Sequence, residues 1–244
     1  MTTSDIDQFE RTRMLWGQEA IRRLACSHVL IFGVGGVGGY AAEAIARSGV
    51  GHITLVDNDT VSITNLNRQI IALHSTIGQF KVDVMRQRIL DINPDCEVNA
   101  LRMFYLPENA NEIRIQDYDY VLDCIDTVAA KIDIIRRCHE LHVPVISSMG
   151  AANKMDPTAF RVTDIAKTHT DPLAKAMRSK LRQMGINHVK VVFSDETPLK
   201  PLAATEAPPS GKRHIPASNA FVPAAAGLVC ASEVIKDIIA PCIS

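Results

Sequence analysis

No stretch of the 244 residues is apolar for long enough to cross a membrane. The most apolar, Phe221 to Ser232, runs for about a dozen residues where a spanning helix needs roughly 20. It therefore reads as a buried helix, and no membrane span is expected. No C-x-x-C pair occurs either. The six cysteines (Cys26, Cys96, Cys124, Cys138, Cys230 and Cys242) are scattered, so a zinc knuckle is excluded and reduced, mostly buried thiols remain. Charge of one sign is also lacking, since a net charge of −1 does not mark a nucleic-acid binder. Its distribution is uneven, however. Lys154 to His214 holds eleven Lys and Arg against six Asp and Glu, which leaves the rest of the chain at −6. A mildly basic half permits an RNA partner without requiring one. Met1 to Phe9 is polar and acidic, unlike a signal peptide, which points to a cytoplasmic protein.

What is present is a core: 47% hydrophobic residues with 22% charged ones suit a globular fold. His28 to Phe32 is a short apolar run ending in glycines, and His52 to Val56 is another ending in Asp57. Alanine-rich Ala41 to Arg47 between them favours a helix. Val82, Met85, Ile89 and Ile92 recur at helical spacing, predicting a helix from Lys81 to Asp91 that Asn93-Pro94 ends. Cys96 to Leu101, Tyr118 to Cys124 and Pro144 to Ser148 read as strands, with a helix from Thr127 to Leu141 before the last. This alternation predicts an α/β fold: a Rossmann-like, mainly parallel sheet with helices on both faces. Beyond Gly150 the pattern loosens into an elaborated C-terminal half. Ala159 to Thr163 and Val189 to Phe193 look like strands around a basic helix from Pro172 to Met184. Asp195 to Ser218, with five prolines, reads as a flexible loop, and Pro223 starts a final helix to about Ala240.

Gly33-Val34-Gly35-Gly36-Val37-Gly38 lies between the first strand and the first helix. The spacing contains G-x-G-x-x-G, whose glycines let the backbone turn tightly and approach a ligand, with a helix N-terminus beyond for phosphate. Asp57, nineteen residues after Gly38, ends the second strand, where a carboxylate can bind ribose hydroxyls. Alone, these features indicate a nucleotide, NAD and FAD included. The residues beyond Asp57 favour a triphosphate. Arg68 and Lys81 flank the site and suit phosphate charge. Asp126, in Asp123-Cys124-Ile125-Asp126, closes the fourth strand, where open α/β sheets collect ligands and a carboxylate can hold Mg²⁺. Asp126 also reads as the N-cap of the helix at Thr127, and Asp59 as a turn former or a ligand. An NAD-dependent oxidoreductase would leave Arg68, Lys81 and Asp126 idle.

In order and spacing, G-x-G-G-x-G, V-D-x-D-x-V, N-L-x-R-Q, G-x-x-K and D-C-x-D resemble the ubiquitin-activating enzymes and the bacterial adenylyltransferases of molybdopterin and thiamine biosynthesis. The resemblance covers roughly residues 11 to 150. It implies an ATP- and Mg²⁺-dependent adenylating site in which Gly33, Gly35, Gly36, Gly38, Asp57 and Asp59 hold the nucleotide. Asn65, Arg68 and Lys81 would contact the phosphates, and Asp126 would organise Mg²⁺ and the attacking carboxylate. Arg13 matches an arginine that in these enzymes reaches the partner subunit's ATP, implying a homodimer. The organisation expected is one domain over 1–244, with an N-terminal helical arm over 1–25. An ATP-binding half would span 26–150, and a substrate-binding half, with its loop at 195–218, would span 151–244.

The sequence departs from those relatives in lacking any cysteine between Cys138 and Cys230, where thioester- or persulfide-forming members carry theirs. The chemistry should then stop at adenylation or use a nucleophile within the substrate. Val162 to Thr168, Asp171-Pro172-Leu173-Ala174, the helix through Arg178 and Arg182, and Val192-Phe193-Ser194 look like the tRNA threonylcarbamoyladenosine dehydratases. That likeness implies a tRNA substrate whose threonyl carboxylate is adenylated and then cyclises with loss of AMP. The alternative is an adenylyltransferase for the C-terminal glycine of a ubiquitin-like sulfur carrier. A sulfur-transfer protein is a further candidate partner.

Overall fold

The computed structural model describes residues 7–202 and 216–242. The chain opens with two short helices, α1 (Glu10–Trp16) and α2 (Gln18–Ala25), separated at Gly17, whose φ of +84° ends one and starts the other. Then β1 (His28–Phe32), α3 (Gly38–Arg47) and β2 (His52–Val56) form the first strand–helix–strand unit. α4 (Lys81–Ile92), β3 (Glu97–Leu101), β4 (Tyr120–Asp123), α5 (Val128–Leu141) and β5 (Val145–Ser148) continue the alternation. The second half supplies β6 (Phe160–Asp164), α6 (Pro172–Gln183), β7 (Lys190–Ser194) and α7 (Val222–Ile239).

All seven strands join one sheet in the order β3-β2-β1-β4-β5-β7-β6, parallel except where β6 runs against β7. Alternation along each strand sends side chains to opposite faces. Val29 and Ile31 therefore pack with α3, α4 and α7, while Leu30 and Phe32 pack with α5. α6 packs with α5 and β7 in a third cluster around Met177, Leu181 and Phe193. Helices thus cover both faces, as the alternation predicts. The central strands β1, beyond half-buried His28, and β4 are buried, and the edge strands β3 and β6 keep exposed positions.

The final helix packs closely on the first unit. A Cβ on Gly227 would stand 2.2 Å from the Val37 carbonyl, so α7 lies against α3 at a distance only glycine allows. Its proline sits one residue inside the helix start, at Pro223. Two local expectations change. β4 begins at Tyr120 rather than Tyr118, because Ile115–Asp117 forms a 3-10 turn that Tyr118 closes. α5 begins at Val128 with Thr127 at its N-cap position and no side-chain cap, so Asp126 is not the N-cap. Of the loop expected over 195–218, residues 203–215 lie outside the described residues. Both flanks are hydrogen-bonded to Asn153: Leu199 N to its carbonyl (2.7 Å), and Ala217 N to its Oδ1 (2.8 Å).

Candidate active site

From β1 the chain runs outward on one side of the sheet to β2 and β3, then returns to the other side of β1 as β4. Open α/β sheets bind ligands at such a reversal, beyond the carboxyl ends of the strands. A cleft of about 820 Å³ lies there, between the ends of β1, β2, β4 and β5.

The glycine turn forms its floor. Gly33 has φ +86°, and a Cβ there would come within 3.0 Å of the Cys124 carbonyl. A Cβ on Gly38 would stand 1.8 Å from the Gly33 carbonyl, so the first and third glycines pack on one another and Gly38 lies beneath the cleft. Gly35 and Gly36 line it, with Pro223 of α7 beside Gly36. α3 starts with no side-chain cap and no acid in its first turn, leaving its N-terminal amides and dipole for an anion. Asp57 braces this turn: its Oδ2 accepts from Val34 N at 2.7 Å and its Oδ1 from Asp59 N at 2.8 Å.

The cations come from the segment between β2 and α4. Lys81, nearly buried at the start of α4, donates to Asp59 Oδ2 at 2.7 Å, and its backbone N donates to the Asp59 carbonyl. Asp59 thus both turns the chain and fixes the lysine. Arg68 donates to the Thr64 carbonyl and to Asn67 Oδ1, each at 2.9 Å, and burial pulls its pKa below the ordinary guanidinium value. Asn65 is buried, with its Oδ1 accepting from Ser62 N, and it lines the cleft beside Arg68. Asp126 lines the opposite wall and is exposed to it.

Among the expected site residues, Gly33, Gly35, Gly36, Asp57, Asp59, Asn65, Arg68, Lys81 and Asp126 meet at this one cleft. Arg13 does not. It lies on α1, paired with Glu10 and Asp7. Among the described residues no three His, Cys, Asp or Glu side chains gather into a metal cage. Asp126, an exposed carboxylate on the same cleft as Arg68 and Lys81, still suits Mg²⁺, which keeps waters and takes its remaining ligands from substrate phosphates. The cleft's cysteine is Cys124, and burial raises its thiol pKa well above the ordinary value, opposite to what a nucleophile needs.

Three further residues shape the site, and of them only Gln69, the end of N-L-x-R-Q, falls within a motif. Lys131 is fully buried on α5 and donates to Asp123 Oδ2 (2.8 Å), to the Ile125 carbonyl (3.1 Å) and to the Ser148 carbonyl (2.9 Å). Asp123 also accepts from Ser147 Oγ at 2.6 Å. Together they lock the ends of β4 and β5, from which Asp126 hangs. A signal for Lys131 does exist: it sits beside Ala130 on a helix face that continues through Ile134 and Ile135. Gln69 lines the cleft with its Oε1 buried and unpartnered among the described residues. Tyr105 closes the side next to Phe32, its hydroxyl bonded to Asp133 at 2.8 Å. The far wall is built from Met149 to Ala152, Leu173, Pro216 and Ser218, five of the seven from the second half.

The ThiF family model matches residues 9–241, and the chain belongs to that family. It is similar to the tRNA threonylcarbamoyladenosine dehydratase of Bacillus subtilis, with 50% identity over 96% of this chain and 95% of that one. Among solved structures, the Escherichia coli tRNA N6-threonylcarbamoyladenosine dehydratase in complex with AMP superposes with a TM-score of 0.88 at 37% identity. It covers 98% of this chain and 97% of its own, and the same protein in complex with ATP gives 0.86 at 36% over the same shares. Similarity to the E. coli molybdopterin-synthase adenylyltransferase, 39% identical, is confined to 57% of this chain and 54% of that one.

Proposed function

We propose that the chain is an ATP-dependent tRNA threonylcarbamoyladenosine dehydratase. The threonyl carboxylate of the modified adenosine attacks the α-phosphorus of ATP, pyrophosphate leaves, and an acyl-AMP forms. A nitrogen or hydroxyl of the same modified nucleoside then attacks the acyl carbon, closing a ring and releasing AMP, which carries away the carboxylate oxygen. The observation that carries this is the second half. Similarity to the dehydratases runs through the wall made by Gly150, Leu173 and Ser218, whereas similarity to the molybdopterin-synthase adenylyltransferase is confined to little more than half of the chain.

Each residue's part follows from its chemistry. Asp57 binds the ribose hydroxyls while bracing the turn that carries the α-phosphate. Arg68 and Lys81, with Asn65, hold the outer phosphates and stabilise charge as pyrophosphate departs. Asp126 would hold Mg²⁺, which would supply further neutralisation of phosphate charge. Attack from within the substrate needs no enzyme thiol, in keeping with the high pKa of Cys124. Holding both reacting ends in one pocket makes ring closure effectively unimolecular. Arg13 completes the site of a partner subunit in a homodimer, and the protein works in the cytoplasm, where a sulfur-transfer protein is a further candidate partner.

Mass spectrometry of nucleosides from threonylcarbamoylated tRNA incubated with the protein and Mg-ATP tests the assignment. Cyclised nucleoside and stoichiometric AMP are expected. Unchanged tRNA, with pyrophosphate exchange driven instead by a carrier protein ending in Gly-Gly, would overturn it.

A further inference from the structure

α6 carries charge that no acid among the described residues balances. Its sequence, PLAKAMRSKLRQ, has four cations and no acid. Elsewhere exposed cations are commonly partnered, as Arg22 is with Glu19, Arg114 with Asp117 and Arg161 with Asp195. Among the described residues Lys175, Lys180 and Arg182 form no ion pair. Among the described residues the Arg178 guanidinium donates only to Thr168, to its carbonyl at 2.7 Å and to its hydroxyl.

Helical geometry sorts these cations. Lys175, Arg178 and Arg182 stand at i, i+3 and i+7, sharing one stripe about 10 Å long. The stripe runs beside the buried face of Ala174, Met177 and Leu181, and Lys180 falls on the other side. The bond from Arg178 brings the stripe against the turn Ile165–Lys167, adding Lys167, which is exposed and likewise without an ion pair among the described residues. Nearby acids are already engaged. Asp164 caps that turn and pairs with His188, Asp195 pairs with Arg161 and His169, and Asp171 is buried against Lys154. Helix stability does not account for the stripe, because like charges three and four residues apart repel along a helix.

The stripe also points somewhere. Leu173, in the first turn of α6, lines the cleft, and Asp171 caps the same turn through Ala174 N at 2.8 Å. We propose that Lys167, Lys175, Arg178 and Arg182 form the docking surface for the sugar–phosphate backbone of the RNA that carries the modified nucleoside, leading that nucleoside past Leu173 into the cleft. This rests on the RNA substrate of the proposed function. Phosphate contacts of this kind set affinity and register without reading sequence.

Binding of threonylcarbamoylated tRNA to the full chain, followed by fluorescence anisotropy across a salt series, tests it. Each lost phosphate contact should lower the slope of log K against log salt by about 0.7–0.9. Lys175→Ala/Arg182→Ala, both at exposed positions, is expected to weaken binding on the order of tenfold and to flatten the slope by about 1.5. The KM for tRNA should rise while kcat at saturating tRNA stays put. Lys180→Ala removes the same charge from the opposite side and should change little. Unchanged affinity and slope in the double variant, or an equal loss in Lys180→Ala, overturns the surface. Turnover of the wild-type chain is read separately. Stripe-dependent binding without cyclised product refutes the proposed chemistry and leaves the surface standing; product with stripe-independent binding refutes the surface alone.

Discussion

On the nucleotide side of the cleft, Lys131 reaches across from α5 and bonds to Asp123 and to carbonyls at the ends of two neighbouring strands. On the far side, Lys154 bonds to Asp171 at 2.8 Å and to the Gly150 carbonyl at 2.6 Å, and Asp171 in turn caps α6. Both lysines are fully buried, and each ties a loop to a regular element. They differ in what they hold. The first fixes two parallel strand ends relative to one another, so it sets the wall that bears Asp126. The second fixes a loop to a helix start, so it sets where α6 and its basic stripe meet the cleft. A buried ion pair is a poor source of stability beside apolar packing, but removing one member leaves an uncompensated charge. We take both pairs as devices for position, one for each wall.

Breaking them separately is the sharpest test. Lys131→Met and Lys154→Met should each cost about 3–5 kcal/mol in urea unfolding, because Asp123 or Asp171 is left buried and alone. Milder conditions then separate them: Lys131→Met should impair ATP turnover, and Lys154→Met chiefly the use of tRNA, seen as raised KM. Next in size, Arg68→Ala should lower kcat by about 10²–10³ with stability within about 0.5 kcal/mol of wild type. Gly150→Ala comes third, since its Cβ would stand 2.7 Å from Asp171 Oδ2. It should destabilise by about 1–3 kcal/mol while leaving ATP affinity, measured by calorimetry, unchanged.

A smaller effect is confined to acid and to the nucleotide side. Burial works to raise the pKa of Glu43, but hydrogen bonds from Arg88 and Arg47 outweigh it and hold the carboxyl below its ordinary 4.5. The lowered folded value means that this stabilisation is complete above pH 4.5 and is lost as pH falls through the folded pKa. In Glu43→Gln, the fall of stability below pH 4.5 should be shallower than in wild type, by denaturant titration at each pH. Smallest of all, Cys124→Ala should keep turnover within a few-fold of wild type. A loss on the order of a thousandfold would put a thiol intermediate back in the reaction.

The two sides are also unequally legible in sequence. β1, β2 and the glycine turn can be read residue by residue, because a short apolar run, a G-x-G-x-x-G spacing and an acid at the next strand end are local signals. The cleft residues from Gly33 to Asp126 follow from motif order on that frame. The far wall is different. That β7 inserts between β5 and β6 is decided by long-range packing and leaves no local mark. Lys154 and Asp171 lie seventeen residues apart and read singly as solvated charges, although they meet in the interior. Lys131 is only partly legible: its spacing puts it on the apolar face with Ile134 and Ile135, but a lone lysine in a helix is ordinarily a surface residue. The helix bearing Lys175 is legible as basic, but its lack of counter-charges needs the structure.

Pro223 touches the glycine turn, and Gly227 lets α7 press against α3. One wall of the pocket begun by the first strand is therefore made by a segment translated only after all seven strands of the sheet. A nascent polypeptide still on the ribosome, with the turn and Asp57 already exposed, lacks that wall, and premature termination before α7 should yield a product unable to retain nucleotide.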